Sequence, residues 1–448
     1  MKKTISIIPG LLFTFSLFAQ QTEMKETGSL ADFLKQGDFT GKARFYFMHS
    51  NNQEPLSDYH GLGIGGGIGY KTPQYKGFSA GLSGYFIFNA YSSDFTQSDS
   101  VTQNPNRYEL GLFDVTDPSN KENMYRLEEL WVNYQKKEFN LTYGQFKPDY
   151  LFVNPQDGRM SPTMVRGFNG VFDHKKTSFQ LAWLNHIAPR STVKWYSVEE
   201  TFGIYPTGRA TDGSASSYLG NIESSGILIA EANQKIGQNS YAKLGLMNVN
   251  KVYTTSYAQL DVKKDNWGLS GLAIYQKANA EGLNSTYIDP DHQSLIFSGR
   301  LEKKLKKSKV NLNYTRIADQ GRFLMPREWG REPLFTFLPR ERNEGLADVN
   351  AISANYIYKP NNNTILHAGA GNYWLPDADD AQRNKYAMPS YAQLNLDAEY
   401  NWDGWFEGGS LKLLYVYKKG QKDDYENLKQ VFNKVNVHLV NLIFNYTF

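Results

Sequence analysis

The last fourteen residues, Val435 to Phe448, read VNVHLVNLIFNYTF and carry the clearest structural signal in the chain. Side chains of a β-strand alternate between two faces. One face of this segment is wholly apolar and ends in three aromatic rings: Val440, Leu442, Phe444, Tyr446 and Phe448. The other face mixes Asn and Thr with apolar residues. A soluble β-sandwich would bury the apolar face in a core, whereas a membrane barrel would turn it towards lipid.

The composition of the whole chain favours the barrel. The 448 residues include 30 Tyr and 27 Phe, yet the mean hydropathy is -0.54. A barrel combines the two because only every second strand residue meets lipid, while lumen and loops are polar. The absence of cysteine excludes thiolate metal sites, cysteine nucleophiles and disulfides. A net charge of +3 indicates no nucleic-acid partner.

The N-terminal region predicts export. Met1-Lys2-Lys3 is a short basic stretch, and the apolar run from Ile5 to Phe18 follows it. Residues 1–19 are therefore predicted to be a signal peptide. Residues 20–38 would be a short periplasmic linker with one or two helical turns between Ser29 and Gly37. No later segment has ~18 uninterrupted apolar residues, so any membrane crossing by residues 39–448 must be by strands.

The alternating pattern predicts eighteen strands: 39–49, 60–72, 77–89, 123–136, 139–147, 169–175, 178–187, 221–236, 239–250, 253–263, 266–277, 292–305, 308–318, 346–359, 363–373, 391–402, 409–419 and 435–448. Short, polar, often Lys-rich connections alternate with long ones, such as 148–168 and 319–345. This sorting is typical of outer-membrane barrels, with short turns in the periplasm and long loops outside. The predicted fold class is an all-β, 18-stranded antiparallel transmembrane β-barrel.

Strand facing identifies basic residues of the lumen. A Lys or Arg pointing at mid-bilayer lipid costs ~2–4 kcal/mol. On three strands the cation lies opposite a face of apolar residues, which are the outward residues of a barrel. The predicted lumen residues are Arg44, Lys243 and Arg300.

Two long connections stand out because Pro and Gly hold them in fixed shapes and because they pair Arg with acidic residues. The first contains GRMSPTMVRGF, from Gly158 to Phe168, and the second contains EWGREP and RERNEG. With the Gly67-to-Pro73 turn, GIGYKTP, and the strand count, these motifs resemble the OprD family of outer-membrane porins. The resemblance implies a third external loop folded into the pore and a ladder of basic side chains along the lumen. It also implies small carboxylates, basic amino acids, peptides or oligosaccharides as substrates.

In such a pore, charged side chains of the two loops would select the solutes that pass. The candidate pore-constriction residues are Asp157, Arg159, Arg166, Arg331, Arg340 and Arg342. Guanidinium groups bind carboxylates through two parallel hydrogen bonds, so anionic solutes are favoured. The alternative is that Asp157–Arg159 and Glu328–Arg331 are structural ion pairs that only hold the loops in place.

We therefore expect an outer-membrane channel for facilitated diffusion of small hydrophilic solutes, anionic or similar to amino acids and peptides. An unselective general porin is the alternative within transport. A structural or adhesive barrel plugged by its own loops, or a membrane-embedded hydrolase, is the alternative outside it. His49 and Ser50 superficially resemble the site of the outer-membrane phospholipase. Adjacent strand residues point to opposite faces, however, so no enzymatic activity is expected.

The expected partners are small hydrophilic solutes, outer-membrane lipid and the barrel assembly machinery. The terminal strand ending at Phe448 resembles the signal that this machinery recognises. The expected location is the outer membrane of a Gram-negative bacterium, after signal-peptide cleavage, as a monomer or a loose trimer. No cofactor and no metal site are expected, because the seven histidines show no metal-ligand spacing.

Overall fold

The computed structural model describes residues 29–279 and 282–448, which form one antiparallel sheet of nineteen strands. The strands are β1 Asp38–Asn52, β2 Tyr59–Lys71, β3 Phe78–Ser92, β4 Met124–Lys136, β5 Phe139–Phe146, β6 Met164–His174, β7 Thr177–Ala188, β8 Tyr196–Ser197, β9 Ile227–Lys235, β10 Tyr241–Val249, β11 Tyr253–Lys264, β12 Trp267–Ala278, β13 Gln293–Lys304, β14 Ser308–Ile317, β15 Val349–Tyr358, β16 Thr364–Trp374, β17 Tyr391–Asn401, β18 Gly409–Gly420 and β19 Val437–Thr447.

The sheet closes on itself. β1 pairs with β2 on one side and with β19 on the other, so that Phe45 lies between Ile64 and Phe444. Eighteen strands are long, and the two-residue β8 only extends the end of β7. The predicted eighteen-stranded barrel is confirmed. Its largest boundary errors are at β6, which begins at Met164 rather than 169, and at β9, which begins at Ile227 rather than 221.

Helical structure is sparse in the described part of the chain. A five-residue helix, α1 Leu30–Leu34, is capped by the Ser29 hydroxyl, which accepts a hydrogen bond from the Asp32 amide at 3.2 Å. Single 3₁₀ turns occupy Leu110–Leu112, Glu199–Thr201, Arg327–Trp329, Gly404–Phe406 and Leu428–Gln430. None of the helices described is long and apolar enough to cross a membrane. The predicted signal peptide, and the linker up to residue 28, lie outside the described residues.

The periplasmic turns are short, and at several of them the chain reverses direction within two residues. Lys137, Lys175 and Asp265 each open a two-residue turn with a positive φ, of 51°, 54° and 52° respectively. Turns of this handedness match the right-handed twist of the flanking strands. The paired strands therefore stay in register and direct alternate side chains to opposite faces.

The outer face of the barrel is apolar, as predicted. Phe45, Leu244 and Phe297 are 43 %, 64 % and 50 % exposed respectively, whereas Arg44 on the inner face is 7 % exposed. On β19 the predicted lipid-facing Leu442 is exposed, and Asn441 beside it is fully buried inside.

The extracellular half of the barrel is filled by its own loops. L3 is residues 147–163, L4 is 189–226, L6 is 279–292, L7 is 318–348 and L8 is 375–390. L3, L4 and L7 bury large apolar side chains inside the barrel: Phe152, Phe202, Phe323 and Trp329. The hydrophobic core is thus formed by loops packed against the inner wall, which positions their charged residues in the lumen.

Candidate functional site

Asp157, in loop L3, is held by two cations on the inner face of β1. Its Oδ1 accepts a hydrogen bond from Arg44 Nη1 at 2.6 Å, and Lys42 Nζ lies 3.4 Å from its Oδ2. Arg44 also donates to the carbonyl of Arg159. Burial alone would raise the pKa of Asp157, but the charges of Arg44 and Lys42 outweigh it and hold the pKa well below its ordinary value. Because Arg44 is the seventh of fifteen residues in β1, L3 reaches the middle of the barrel.

Met160 fixes the same loop against β2. A Cβ atom built on Gly63 would lie 2.8 Å from the Met160 sulfur, and one on Gly65 would lie 2.9 Å from its terminal methyl carbon. Real side chains do not approach so closely, so a larger residue at either position would force the Met160 side chain of L3 to move. The Gly-rich stretch of β2 is therefore a seat for the inward loop.

L7 packs directly on L3 through Asn154. The Asn154 side chain accepts from the Arg331 amide at 3.0 Å and donates to the Arg331 carbonyl at 2.7 Å. Its own amide donates to the Trp329 carbonyl at 3.0 Å. The buried Trp329 ring in turn donates from Nε1 to Thr201 Oγ1 of L4 at 2.8 Å. L3, L4 and L7 therefore form one packed unit.

Four arginines from these loops form what we call the arginine cluster: Arg159, Arg190, Arg340 and Arg342. Arg340 donates to Asn441 Oδ1 on β19 at 2.9 Å, and Arg342 donates to the Gly330 carbonyl at 3.1 Å. The Nε atoms of Arg159, Arg190 and Arg340 are buried and have no hydrogen-bond partner among the described residues. The cluster thus presents donors that the loops themselves leave unused.

Two members of the arginine cluster, Arg159 and Arg190, are surrounded mainly by other cations. Burial lowers the pKa of Arg159, and the charges of Arg340 and Arg190 lower it further. Burial also lowers the pKa of Arg190, with the charges of Arg342 and Arg340 adding to the effect. Within residues 29–279 and 282–448, no carboxylate forms a salt bridge with any of the four. Arg342 is attracted by the carboxylates of Glu332, Glu341 and Glu344, and Arg340 by that of Glu109. The main neighbouring charges of Arg159 and Arg190 are arginines and tyrosines, so these two buried cations are complementary to an anion.

Arg331 interacts electrostatically with Arg342 of the cluster and with Arg300. Its guanidinium is 4.7 Å from the centroid of the Phe337 ring. Burial lowers its pKa, and the neighbouring charge of Arg300 contributes. Arg300 is on the inner face of β13, where its Nε donates to Asn313 Oδ1 at 2.7 Å. Arg331 of L7 therefore connects the charge of the arginine cluster with that of Arg300 on the inner wall.

Arg166 is placed differently from the prediction, which assigned it to L3. It lies in β6, because that strand begins at Met164. It shares its face with the exposed, outward Phe168, and its guanidinium lies 5.4 Å from the Trp195 ring. The described residues show no hydrogen bond or ion pair between Arg166 and either Asp157 or the cluster. The error arose because Arg166 and Gly167 interrupt the apolar alternation by which the strand was recognised.

The two predicted loop-pinning ion pairs do not form. Asp157 pairs with Arg44 rather than Arg159, and the Glu328 carboxylate accepts from the Tyr205 amide at 2.7 Å rather than binding Arg331. Lys243 is inside the barrel as predicted, where its Nζ lies 3.0 Å from Glu231 Oε2.

Arg190 is the cluster member that sequence reasoning missed. It follows Pro189 in a long polar loop, and no local pattern separates it from other loop cations. The link between Arg44 and Asp157 was also missed, although both residues had been singled out, because 113 residues separate them.

At the extracellular mouth, Lys385 of L8 joins four loops. Its ammonium lies 3.5 Å from Glu344 Oε1 of L7 and within 4.9–5.2 Å of three ring centroids, those of Tyr218, Tyr287 and Tyr386. We call this contact the Lys385 latch. Lys385 borders an external cavity of about 250 Å³ and a smaller one of about 10 Å³ that also touches Tyr205 and Glu328. The latch therefore lies between the external cavity and the packed loops.

The hydrolase alternative gains no support from the geometry. His49 Nδ1 lies 3.0 Å from the Tyr59 carbonyl, whereas Ser50 is fully buried on the opposite, inner face of β1. No group of three or more His, Asp or Glu residues with metal-binding geometry occurs in the described part of the chain.

Comparison with known proteins gives a structural answer only. Neither family models nor curated protein sequences match the chain. Among solved structures, Pseudomonas aeruginosa OccK9 (OpdG) superposes with a TM-score of 0.72 at 15% identity, covering 93% of this chain and 99% of that one. Acinetobacter baumannii OccAB4 gives a TM-score of 0.71 at 13% identity, covering 92% of this chain and 98% of that one. Pseudomonas aeruginosa OpdK, in a structure with vanillate, gives a TM-score of 0.70 at 13% identity, covering 93% and 99%.

The chain has the Occ/Opd barrel fold. The likeness spans nearly the full described length, so it includes the long loops as well as the strands. At the level of fold, the resemblance to the OprD family is confirmed. Identities of 13–15% carry no individual side chain across, so the arginine cluster must be interpreted from its own geometry.

Proposed function

We propose that this protein is an outer-membrane channel for facilitated diffusion of small hydrophilic solutes, with a preference for anions. The observation that carries the proposal is the arginine cluster. Four guanidinium groups converge inside a closed barrel. Among the described residues, three of them have a buried Nε–H without a hydrogen-bond partner, and none forms a salt bridge with a carboxylate. Charged groups at a narrow point set which solutes pass, and guanidinium groups match carboxylates in shape and charge.

L3 is the proposed constriction. The Asp157–Arg44 contact and the Met160 seat hold it across the middle of the barrel, and the L7 contact through Asn154 stiffens it. Of the predicted constriction residues, this proposal keeps Asp157, Arg159, Arg340 and Arg342, and it adds Arg190. It also keeps Arg331, as the cation between the cluster and Arg300.

Two further observations support the proposal. The outer face carries a continuous apolar band, which suits an outer membrane and which would be exposed to water in any soluble compartment. The OpdK structure contains vanillate, a small aromatic carboxylate, which is the class of solute that a guanidinium cluster would attract.

The experiment is single-channel recording in planar bilayers with a KCl gradient, followed by titration of a small carboxylate. The wild type should show discrete openings, an anion-selective reversal potential and carboxylate-dependent block. Arg159→Gln should weaken carboxylate block about 10- to 100-fold, the effect of losing a charged hydrogen bond of ~1.5–3 kcal/mol. Arg383→Gln is the control, because Arg383 pairs with Asp319 and Asp380 at the outer surface.

Each alternative gives a distinct result in the same recordings. A barrel plugged by its loops shows no openings, and a general porin shows openings with no selectivity and no block. We also propose that the protein is not an enzyme, so Ser50→Ala should leave both lipid and ester substrates unconverted, as the wild type does. If the wild type converts a lipid or ester substrate and Ser50→Ala does not, the proposal that the protein is not an enzyme is wrong.

A further inference from the structure

The periplasmic edge of the barrel is strongly basic next to β11–β14. The segments 263–265 and 302–309 contain seven lysines and two carboxylates. They form neighbouring turns, because β11, β12, β13 and β14 pair in sequence order. One of the carboxylates, Glu302, is already paired with Lys309 at 3.1 Å. This edge therefore carries a local excess of positive charge that the rest of the described edge does not offset.

Two of these lysines, Lys264 and Lys303, form a row with Trp267 on the membrane-facing side. Lys264 is the strand partner of Trp267, and Trp267 is the strand partner of Lys303. The Lys303 ammonium lies 4.5 Å from the centroid of the Trp267 ring. Trp267 is 49 % exposed, and both lysines are exposed. Lys303 has the same facing as Leu301, two residues earlier, which is 46 % exposed on the outer wall.

The row sits at an edge between apolar and polar surface. Directly inside it, towards the middle of the membrane, are the exposed side chains of Leu269 and Leu301. On its other side the chain turns through 265–266 and 305–307, where polar and basic residues face the periplasm. Trp rings with long lysines mark the level of lipid headgroups, because the ring is amphipathic and the lysine stem can lie along apolar surface while its ammonium stays in water.

We propose that Lys264, Trp267 and Lys303 form a binding site for an anionic phospholipid of the inner leaflet of the outer membrane. Lys264 and Lys303 are the strand partners of Trp267 on its two sides, so their ammonium groups would hold the lipid phosphate between them. Leu269 and Leu301 would contact the start of the acyl chains. The site is not part of the solute path, and it rests on the proposed function only for the protein's position in the membrane.

The favoured partner is a lipid rather than a periplasmic protein or cell-wall polymer, because the row faces sideways into the membrane and has apolar surface beside it. A second edge of the same barrel provides an internal comparison. The turn between β17 and β18, residues 402–408, exposes Trp405 but carries Asp403 and Glu407 and no lysine. An aromatic ring is present there without the charge, so that turn should not select an anionic headgroup.

The test is native mass spectrometry of the purified full-length barrel released from detergent, with phosphatidylglycerol or phosphatidylcholine added at matched concentrations. The wild type should retain phosphatidylglycerol in preference to phosphatidylcholine, and added salt should weaken the preference. Lys264→Gln with Lys303→Gln should reduce phosphatidylglycerol affinity about 25-fold, which corresponds to about fivefold for each surface lysine removed. The control is Lys277→Gln with Lys419→Gln, two exposed lysines at the extracellular ends of β12 and β18.

Each result decides the proposal. Equal retention of the two lipids by the wild type, or equal phosphatidylglycerol affinity in the wild type and the row variant, would overturn it. Competition by inorganic phosphate at the same concentration as the lipid would also overturn it, because the site would then recognise a free anion. Conductance of the same preparations is recorded in parallel. If the row variant conducts normally but loses phosphatidylglycerol, the lipid site is independent of the channel. If the wild type retains phosphatidylglycerol but does not conduct, only the proposed channel function is contradicted.

Discussion

Replacing Asp157 by Asn tests how L3 is held in the barrel. The substitution keeps the size of the side chain and removes the charge that faces Arg44 at 2.6 Å and Lys42 at 3.4 Å. Breaking one partner of a buried pair costs ~3–5 kcal/mol. Because the side chains of Asp157 and Lys42 are 29 % and 27 % exposed, solvent screening reduces this to ~2 kcal/mol. Arg44 retains its bond to Asn445 Oδ1 at 2.6 Å, so β1 should remain intact.

A loss of ~2 kcal/mol changes the ratio of docked to released L3 by about 30-fold. Single-channel recordings of Asp157→Asn should therefore show a second, larger conductance level that the wild type visits rarely. The reversal potential in a KCl gradient should also move towards stronger anion selectivity, since Arg44 and Lys42 lose their counter-charge. Asp157→Glu should stay close to the wild type, and Asp212→Asn, on the exposed surface of L4, should change neither quantity.

Unchanged conductance levels together with an unchanged reversal potential in Asp157→Asn would refute the reasoning. The pair would then be a surface contact that neither positions L3 nor contributes to the charge of the pore. A change in reversal potential without a new conductance level would refute only the mechanical part, namely that this carboxylate holds the loop.

Three other predictions follow from the loop contacts. Gly63→Val should displace Met160 and raise the conductance, and the double variant with Met160→Ala should return to the conductance of the wild type. Gly271→Val should have no effect, because no atom lies within 4 Å of its new Cβ. Lys385→Gln should lengthen openings by weakening the Lys385 latch; dwell times equal to those of the wild type would show that the latch does not gate the mouth. Burial raises the pKa of Glu328 to about 7 from 4.5. Docking of L7 is therefore strongest below pH 4.5 and weakens by up to ~3 kcal/mol as the pH rises through 7. Recordings should show more open L7 at pH 8 than at pH 5, and Glu328→Gln should remove this difference.

The sequence alone determined the wall of the barrel. Strand facing repeats every two residues, and the cost of a charge in lipid depends only on the residue and its depth. Arg44, Lys243 and Arg300 could therefore be assigned to the lumen one strand at a time, and the apolar face of the last strand could be assigned to lipid. The alternation of short and long connections could also be read locally, because a hairpin turn needs only a few residues.

Only the tertiary structure decided what the inward loops do. Asp157 meets Arg44 across 113 residues of chain, Arg190 joins the arginine cluster from a loop with no distinguishing pattern, and Arg166 leaves that cluster because β6 begins earlier than its alternation suggests. A loop inside a barrel takes its conformation from the wall and from the other loops that it contacts. Those contacts have no period along the chain. The composition of L3 and L7 therefore indicated charged inward loops, and only the closed barrel determined which of their residues meet.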